Sequence, residues 1–483
     1  MGINGLWDLI KPASTECELS QLSDIHGYSF TKRGDRILVV GVDISVIMDE
    51  CMAAVCSAGL YEHCEGGPLR TFFYKLCKFL KSPIIPVFVF DGQDRPKFKR
   101  GKSINPKVPW WTEPCQSLIE SFGFFFHQAP GEAEAELALL NQIGKIDAII
   151  TSDSDSFVFG ACHVLRSIPK SDGRYTSYRS NIIKNNPDVS LSRGGFLLIA
   201  LMSGGDYSKG VRDCGGATSL GLAKCGFGDS LFSAFETLND IDLEEFLSRW
   251  ICEVIEELRS NSHGFLSSKK PRLALQICSD FLQLDIVNLY RKPIISSIDS
   301  LPGDGVWFSR EPSIEKIGQF CVQSLGWRTL DVLSQNLINT LWEGVFLRLL
   351  VSTASTYNSE MKTFSNEVFC VDAQKIQFKR RARRSEHWAR ISINTASLLL
   401  SLNMGNIQKI ENQYLTLKIW LPSSYLPTTS ILPHSTKPSN AQALISSGQH
   451  IESYNPQATS HALRKRKRAT VEIINPEVIE ISD

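Results

Sequence analysis

The sequence has no excess of charge of either sign, since Lys plus Arg and Asp plus Glu each total 51 among 483 residues. Net charge therefore gives no general sign of nucleic-acid binding, and any such sign must come from local clusters. A chain of this length can form two or three packed units, each with a core of its own.

The 13 cysteines include no Cys-x-x-Cys pair. This spacing argues against a zinc module, and scattered thiols are typical of a reducing compartment. We interpret them as small buried hydrophobic residues.

Signals for secretion, lipidation and membrane insertion are also lacking. No apolar run reaches the roughly 20 residues that span a bilayer. The start, Met1-Gly-Ile-Asn-Gly-Leu-Trp7, has no basic segment followed by an apolar one, and Leu6 stands where a myristoylation signal has Ser or Thr. We therefore expect no membrane contact and a location in the cytosol or the nucleus.

What the sequence does have is a set of strand-length apolar runs that end at acidic residues. They are residues 37–42 before Asp43, residues 87–90 before Asp91, and residues 146–150 before Asp153 and Asp155. Continuous hydrophobicity indicates strands buried on both faces, as in a parallel sheet. The forty or so residues between the first two runs have helical periodicity, which a parallel crossover needs. The acids are therefore expected at the carboxyl edge of the sheet, where open α/β sheets bind ligands.

Further acids lie in the motif Gly131-Glu-Ala-Glu-Ala-Glu136. Inside a helix, Glu132 and Glu134 would point about 200° apart. They can converge only if they lie in the turn that opens the helix, where Pro130 and Gly131 place them. The alternative is a solvated acidic N-terminus that the helix dipole favours.

Two more short motifs carry acids. In Ser152-Asp-Ser-Asp-Ser156, an extended backbone would point Asp153 and Asp155 to the same side, where they repel each other unless a cation lies between them. A loop of Asx turns is the alternative. Gly204-Gly-Asp-Tyr207 supplies Asp206, which by itself could belong to an ordinary turn.

Considered together, seven acids from five segments are predicted to converge at one sheet edge. They are Asp43, Asp91, Glu132, Glu134, Asp153, Asp155 and Asp206. Oxygen ligands with little histidine suit two Mg²⁺ ions, with Mn²⁺ as a substitute. Two such ions roughly 4 Å apart can activate a water and stabilise both the entering and the leaving oxygen of a phosphodiester. We therefore predict that the seven acids are both the metal ligands and the catalytic residues of a hydrolase.

The segment after Asp91 is short and basic. Because residues 112–123 are predicted as a helix, only residues 92–111 remain free, and three prolines and Gly101 leave no room there for two long helices. Its basic residues are predicted to contact phosphates beside the metals: Arg95, Lys97, Lys99, Arg100 and Lys102. A solvated run of charge is the alternative.

The motifs, in their order and context, resemble those of the XPG/flap-endonuclease superfamily over about residues 1–225. They are Met1–Trp7, Val42-Asp-Ile-Ser45, Phe90-Asp-Gly92, Gly131-Glu-Ala-Glu-Ala135, Ser152-Asp-Ser-Asp155 and Gly205-Asp-Tyr207. The resemblance implies an α/β, PIN-like nuclease core with a parallel-rich central sheet. It also implies hydrolysis of branched DNA to 5′-phosphate and 3′-hydroxyl ends, with the seven acids at the metals. Glu136 has no counterpart in the motif and is expected to be solvated or to lie behind the ligands.

The resemblance also implies a helix–two-turn–helix at about residues 208–224, which grips duplex DNA and holds K⁺ through main-chain carbonyls. Ala217 departs from the pattern, since many members have Lys there, so Lys209, Arg212 and Lys224 would have to contribute more. The DNA contacts implied outside the basic segment are Gly2, Lys209, Gly210, Val211, Arg212, Gly215 and Gly216.

Within the superfamily, residues 92–111 lack room for the helical arch that threads a single strand. A small β-containing domain at residues 301–428 loosely resembles the chromodomain of eukaryotic Holliday-junction resolvases of the GEN/Yen type. We therefore predict a resolvase that is a monomer in solution and a dimer on a four-way junction, making paired nicks. A 5′-flap endonuclease, a noncatalytic branched-DNA scaffold and an RNase are the alternatives.

The expected organisation has five parts. They are residues 1–95 and 112–300 as the two parts of the nuclease core, 96–111 as the basic loop between them, 301–428 as the second domain, and 429–483 as a disordered tail. In the tail, Arg464-Lys-Arg-Lys-Arg468 predicts import into the nucleus, with nonspecific DNA contact as its rival. The end, Val478-Ile-Glu-Ile-Ser-Asp483, resembles a SUMO-interacting motif.

Overall fold

The structure, a computed structural model, describes most of the first 422 residues. The described residues are 2–19, 37–57, 66–82, 84–99, 101–103, 107–169, 171, 173–277, 281–303, 305–351, 356–358, 360, 363–365, 370–380, 387–402 and 416–422. Arg100, the tail from residue 429, its basic run and its SUMO-interacting-like end lie outside them.

Strands and helices alternate through the first half of the chain. The strands are β1 Ser14–Glu18, β2 Leu38–Asp43, β3 Ile84–Phe90, β4 Phe98–Lys99, β5 Lys102–Ser103, β6 Phe125–Gln128, β7 Ala148–Ile150, β8 His163–Ser167, β9 Arg174–Arg179, β10 Thr356–Asn358, β11 Thr363–Ser365, β12 Cys370–Arg380, β13 His387–Asn394 and β14 Thr416–Pro422. The helices are α1 Leu6–Ile10, α2 Ile44–Ser57, α3 Gly67–Leu80, α4 Thr112–Ser121, α5 Ala133–Gln142, α6 Ser180–Asn185, α7 Arg193–Ser203, α8 Gly216–Lys224, α9 Phe227–Thr237, α10 Asp240–Ser260, α11 Pro271–Ala274, α12 Leu284–Arg291, α13 Ile314–Ser324, α14 Leu330–Thr340, α15 Trp342–Val351 and α16 Ala396–Leu400.

The central sheet has seven strands in the order β1-β9-β8-β7-β2-β3-β6. The pairs β2/β3, β2/β7, β3/β6 and β7/β8 are parallel, and only β1 and β9 run against their neighbours. The parallel-rich α/β core predicted from the apolar runs is confirmed.

Successive residues of a central strand face two different cores. In β2, Val40 and Val42 pack into one hydrophobic cluster with α2 and α3, whereas Val39 packs into the other with α5 and α7. Every residue of β2 and β3 is buried, which is why these runs are continuously apolar. At Gly41 an added Cβ would lie 2.4 Å from side-chain atoms of Leu137 and Ile146, so glycine lets α5 approach the sheet.

Between β3 and α4 the described residues form no helix. The strands β4 and β5 pair Lys99 with Lys102 in a two-residue ladder. The helix α4 begins at Thr112 and is followed by Gly123 at φ +73°, close to the predicted bounds. The prolines and the length of residues 92–111 predict that this segment has no long helix. None of its described residues belongs to one.

The helices α13–α15 and the antiparallel sheet β10-β11-β12-β13-β14 complete the described chain. The sequence predicted the β-structure but not the three preceding helices, whose buried residues share one hydrophobic cluster with α3 and the central sheet. Arg348 of α15 donates from Nη2 to the carbonyls of Ser82 at 3.3 Å and Ile84 at 2.5 Å. The likeness of residues 301–428 to a chromodomain stays a prediction.

Across the described part of the chain, no helix combines the length and the apolar character needed to cross a membrane.

Candidate metal centre

Two of the predicted acids follow central strands directly. Asp43 ends β2, and its Oδ1 accepts hydrogen bonds from the Ser45 N–H at 3.1 Å and the Val46 N–H at 3.3 Å. Asp91 follows β3, and its Oδ2 accepts from the Ser45 hydroxyl at 3.1 Å. Because β2 and β3 are parallel neighbours, one serine that opens α2 orients both carboxylates.

The two glutamates lie where convergence requires them, at the opening of α5. Glu132 is the extended residue before the helix (φ −82°, ψ 138°), and Glu134 lies in its first turn. The preceding turn is fixed to the sheet edge, since Gly92 N–H donates to the Gly131 carbonyl at 2.6 Å. Asp91 Oδ1 also accepts from the Ala133 N–H at 2.9 Å, which joins the two acidic segments.

The Ser152–Ser156 loop is a one-turn 3₁₀ helix rather than a fully extended segment. Asp153 caps this turn, accepting from the Asp155 N–H at 3.0 Å. The N-terminal residues hold the loop from outside, because Ile3 N–H donates to the Ser154 hydroxyl at 2.9 Å. Both aspartates are buried, and Asp155 Oδ1 has no hydrogen-bond partner.

Asp206 reaches the site from the loop after α7. It is fully buried, and at Gly205 beside it an added Cβ would lie 2.4 Å from the Tyr290 hydroxyl. The next residue, Tyr207, donates its hydroxyl hydrogen bond to Glu132. Tyr207 ends the Gly204–Tyr207 motif, but local sequence does not predict its hydroxyl contact with Glu132.

Lys99 extends from β4 into the middle of these acids. Its Nζ lies 2.9 Å from Glu132 Oε1 and 3.0 Å from Asp206 Oδ2, and it also contacts Glu134. At the rim, Arg95 Nη1 lies 3.3 Å from Asp91 Oδ2. Thus two of the predicted phosphate-contacting residues face carboxylates here, whereas Lys97 and Lys102 are exposed.

Burial and mutual repulsion control the protonation of the cluster. Burial, with Asp91 and Asp153 nearby, raises the pKa of Asp43 to about 7. Burial also raises the pKa of Glu134 and Asp155 well above the ordinary value. For Lys99 burial favours the neutral form, but Glu134 and Glu132 outweigh it and hold the pKa of the ammonium well above its usual range.

The donor set fits a hard divalent cation. Carboxylate oxygens of Glu134, Asp153 and Asp206 lie within 4.8 Å of one another, and all three residues are buried. The unpartnered Oδ1 of Asp155 is a further oxygen that such an ion could satisfy. Oxygen ligands without thiolate or imidazole favour Mg²⁺ or Mn²⁺ over zinc.

Glu136 lies outside the cluster and is not solvated. It is fully buried, with Oε1 2.7 Å from His127 Nε2 and Oε2 accepting from the Ser296 N–H at 2.9 Å. The expectation that Glu136 is solvated is therefore wrong. Its side chain connects α5 with residues after α12.

Two of the remaining predicted DNA contacts, Gly2 and Lys209, line a cleft beside the acids. The cleft has a volume of about 640 Å³ and is lined by Gly2, Ile3, Asn4, Gly5, Trp7, Gly101, Gly205, Tyr207, Ser208 and Lys209. Beyond it, Gly210 (φ +73°) and Asp213 (φ +62°) form two tight turns between α7 and α8. Lys209, Arg212 and Gly215 are exposed there, while Gly210, Val211 and Gly216 are half-buried.

Two family models match the chain. The XPG N-terminal domain matches residues 1–105, and the XPG I-region matches residues 123–206. The residues between these matches, 106–122, include the end of the short segment and α4.

Known proteins similar to the chain are named as nucleases that act on branched DNA. "Flap endonuclease GEN-like 1" of Arabidopsis thaliana is 32% identical over 250 residues, which cover 46% of this chain and 38% of that protein. The solved "eukaryotic junction-resolving enzyme GEN-1 binding with Cesium" has a TM-score of 0.70 and 26% identity, covering 88% of this chain and 96% of that one. The "Holliday junction-resolving enzyme GEN1 (WT) in complex with product DNA and Mg2+ ion" has a TM-score of 0.66 and 25% identity, with the same coverage. The chain therefore spans well under two thirds of the plant relative but nearly all of the solved chains.

Proposed function

Since the chain belongs to the XPG family of nucleases, we propose that it resolves four-way DNA junctions by paired, metal-dependent nicks during DNA repair and recombination. The observation that carries the proposal is the buried carboxylate cluster, in which oxygens of Glu134, Asp153 and Asp206 lie within 4.8 Å of one another. The fold likeness to junction-resolving enzymes, one of them with product DNA and Mg²⁺, favours this substrate.

The seven acids are proposed to hold two Mg²⁺ ions, which would activate a water and stabilise the entering and leaving oxygens of the phosphodiester. Asp43 and Asp91 are oriented by Ser45, and Glu132 by Tyr207. Asp153 and Asp155 are fixed by the loop that Ile3 holds. Products with 5′-phosphate and 3′-hydroxyl ends follow if the water attacks phosphorus and the 3′ oxygen leaves.

Lys99 is proposed to position the substrate phosphate. In the structure its ammonium neutralises carboxylates that prefer divalent ions. Divalent ions bound to these carboxylates would therefore free the Lys99 ammonium to contact a phosphate of the DNA. Arg95 at the rim and the exposed Lys97 and Lys102 would hold neighbouring phosphates. The short segment would thus supply one basic side chain to the reacting phosphate and others to the neighbouring phosphates.

The helix–two-turn–helix is proposed to grip a duplex arm. Backbone amides at the start of α8, at Gly215 and Gly216, with Lys209 and Arg212, would present donors and positive charge to phosphates. Main-chain carbonyls of the two turns are the proposed K⁺ ligands.

The lack of a helical arch in the described residues between Asp91 and Thr112 favours a DNA substrate without a free end. No described residue between Asp91 and Thr112 belongs to a helix that could enclose a single strand. A 5′-flap endonuclease is the second candidate, because the plant relative bears that name. We further propose that two copies assemble on a junction, that the protein acts in the nucleus, and that its C-terminus binds SUMO.

Cleavage of matched, labelled substrates tests the proposal. With Mg²⁺, a four-way junction is expected to yield symmetric paired nicks, faster than a 5′ flap or a splayed arm is cut, and single-stranded RNA should remain intact. Preferred cutting of the flap, or unpaired nicks in the junction, would favour the second candidate.

Variants of the acids test the chemistry. Asp43→Ala and Glu134→Ala should abolish cleavage while the junction is still bound in gel-shift assays. Retained cleavage would refute the assignment of the metal centre, whereas absence of cleavage by the unaltered protein with retained binding would favour a scaffold.

A further inference from the structure

A second group of metal-ligating side chains lies outside the carboxylate cluster. Donor atoms of Cys225, Glu257 and His263 lie within 4.8 Å of one another. They line a surface cleft of about 420 Å³ together with Gly226, Phe227, Ser230, Glu253, Glu256 and Ser262. We propose that these three residues form a zinc site, which no part of the proposed nuclease chemistry requires.

Two of the three ligands lie at the ends of helices. Cys225 directly follows α8, and Gly226 at φ +88° turns the chain into α9. Glu257 lies in the last turn of α10, where it is 2% exposed. An ion here would tie the end of the helix–two-turn–helix to the longest described helix.

The loop after α10 places His263 over Glu257. Asn261 adopts a left-handed conformation (φ +52°), and its side chain exchanges two hydrogen bonds with the backbone of Leu266 at 3.0 and 3.1 Å. As a result His263 Nδ1 lies 2.7 Å from Glu257 Oε2. The imidazole also makes an edge contact with Phe227, at 6.3 Å between ring centroids. The ligand geometry therefore depends on a turn that is already formed without an ion.

The donor types select the metal. A thiolate, an imidazole and a carboxylate suit Zn²⁺, which is tetrahedral and borderline-soft, whereas Mg²⁺ prefers oxygen alone. Glu253 lies one helical turn before Glu257 and lines the same cleft, so it or a water can supply the fourth ligand. The two metal centres of the chain would consequently not compete for the same ion.

Cobalt absorption tests the site directly. The full-length protein is stripped with chelator, dialysed, supplied with excess Mg²⁺ and titrated with Co²⁺. Binding at Cys225 is expected to give sulfur-to-cobalt charge transfer in the near ultraviolet, which one equivalent of Zn²⁺ removes. Oxygen ligands of the catalytic cluster cannot give this band.

Two variants test whether the absorption band comes from this site, and a third variant controls for the other thiols. Cys225→Ser should abolish it, and His263→Gln, at a half-exposed side chain, should weaken Co²⁺ binding about tenfold or more without loss of folding. Cys252→Ser, at an exposed cysteine of α10, should leave the band unchanged. No band in the unaltered protein, a band that survives Cys225→Ser, or unchanged affinity in His263→Gln would each overturn the proposal.

Discussion

Gly2 is held against the acidic loop by its neighbours in the chain. At its φ of +80°, an added Cβ would lie 2.4 Å from Asp153 Oδ1, 2.5 Å from Ser154 Oγ and 2.8 Å from Asp155 Oδ1. Glycine is therefore required both by conformation and by the proximity of two proposed metal ligands.

We expect Gly2→Ala to reduce single-turnover cleavage of a junction by about 100-fold, because displacement of catalytic oxygens by even an ångström is costly. Gly173→Ala is the matched control, since Gly173 has a similar φ of +70° but nothing within 4 Å of an added Cβ. The control should lose some stability through backbone strain and keep most of the rate. Equal rates for the two variants would contradict the packing argument.

The buried charge of Asp43 makes the metal-free protein sensitive to pH. Its pKa is raised to about 7 in the folded state, so the native protein retains a proton that the unfolded chain loses at lower pH. Stability in the presence of chelator should consequently fall as pH rises from about 4 to about 7.

Asp43→Asn should remove this penalty and be more stable than the unaltered protein at pH 8 by on the order of 1–4 kcal/mol, although it should not cleave DNA. Urea unfolding with chelator at several pH values measures the difference. Asp188→Asn, at an exposed acid, should leave the pH dependence as it was. The quantity to compare is the difference in unfolding free energy between Asp43→Asn and the unaltered protein. If this difference is no larger at pH 8 than at pH 5, the buried-charge explanation is refuted.

At the scale of elements, the short segment after β3 exposes large apolar side chains beside the metal centre. Phe98 is 66% exposed, Val108 67% and Trp110 60%, whereas the adjacent Trp111 is only 8% exposed. Exposed aromatics among basic residues can stack on bases that a branch point leaves unpaired.

Trp110→Ala should weaken junction binding by roughly 5- to 100-fold, since stacking on one base contributes about 1–3 kcal/mol. Binding to unbranched duplex and the melting temperature should change little. The contrasting variant Trp111→Ala should mainly destabilise the fold, because it opens a cavity beside Phe90. If Trp110→Ala weakens duplex and junction binding equally, stacking at the branch is not its role.

At the scale of the whole molecule, the helices α13–α15 are part of the same core as the seven-stranded central sheet. Arg348 forms part of the polar connection, because the residue is 3% exposed and its guanidinium donates to carbonyls at the end of α3 and the start of β3. Burial lowers the pKa of this residue to about 10, so it remains charged at neutral pH.

Arg348→Met should lower the free energy of unfolding by about 1–3 kcal/mol, since buried carbonyls lose their donor. Urea unfolding followed by far- and near-ultraviolet circular dichroism measures it. Arg249→Met, at an exposed arginine of α10, should change stability by less than about 0.5 kcal/mol. A separate early transition for α13–α15 in the unaltered protein would show that they do not share the core.

Local sequence pattern is enough to predict the central sheet and the edge at which the acids lie. Continuous apolar runs identify buried parallel strands, and parallel strands end at one edge, so Asp43 and Asp91 could be placed from local pattern alone. The required turn before α5 could also be deduced, because helix geometry forbids Glu132 and Glu134 from converging otherwise.

Contacts between side chains that are distant in the sequence depend on the packing of the whole chain. Lys99 looked like a surface cation in a basic run, yet the β4–β5 pairing directs it among Glu132, Glu134 and Asp206. Cys225 and His263 are 38 residues apart without a zinc-binding spacing. They come together because α9 packs against α10 and α8 packs at Gly221 against the loop after α10. Periodicity reports which face of an element is buried, whereas contacts between elements depend on how the whole chain packs.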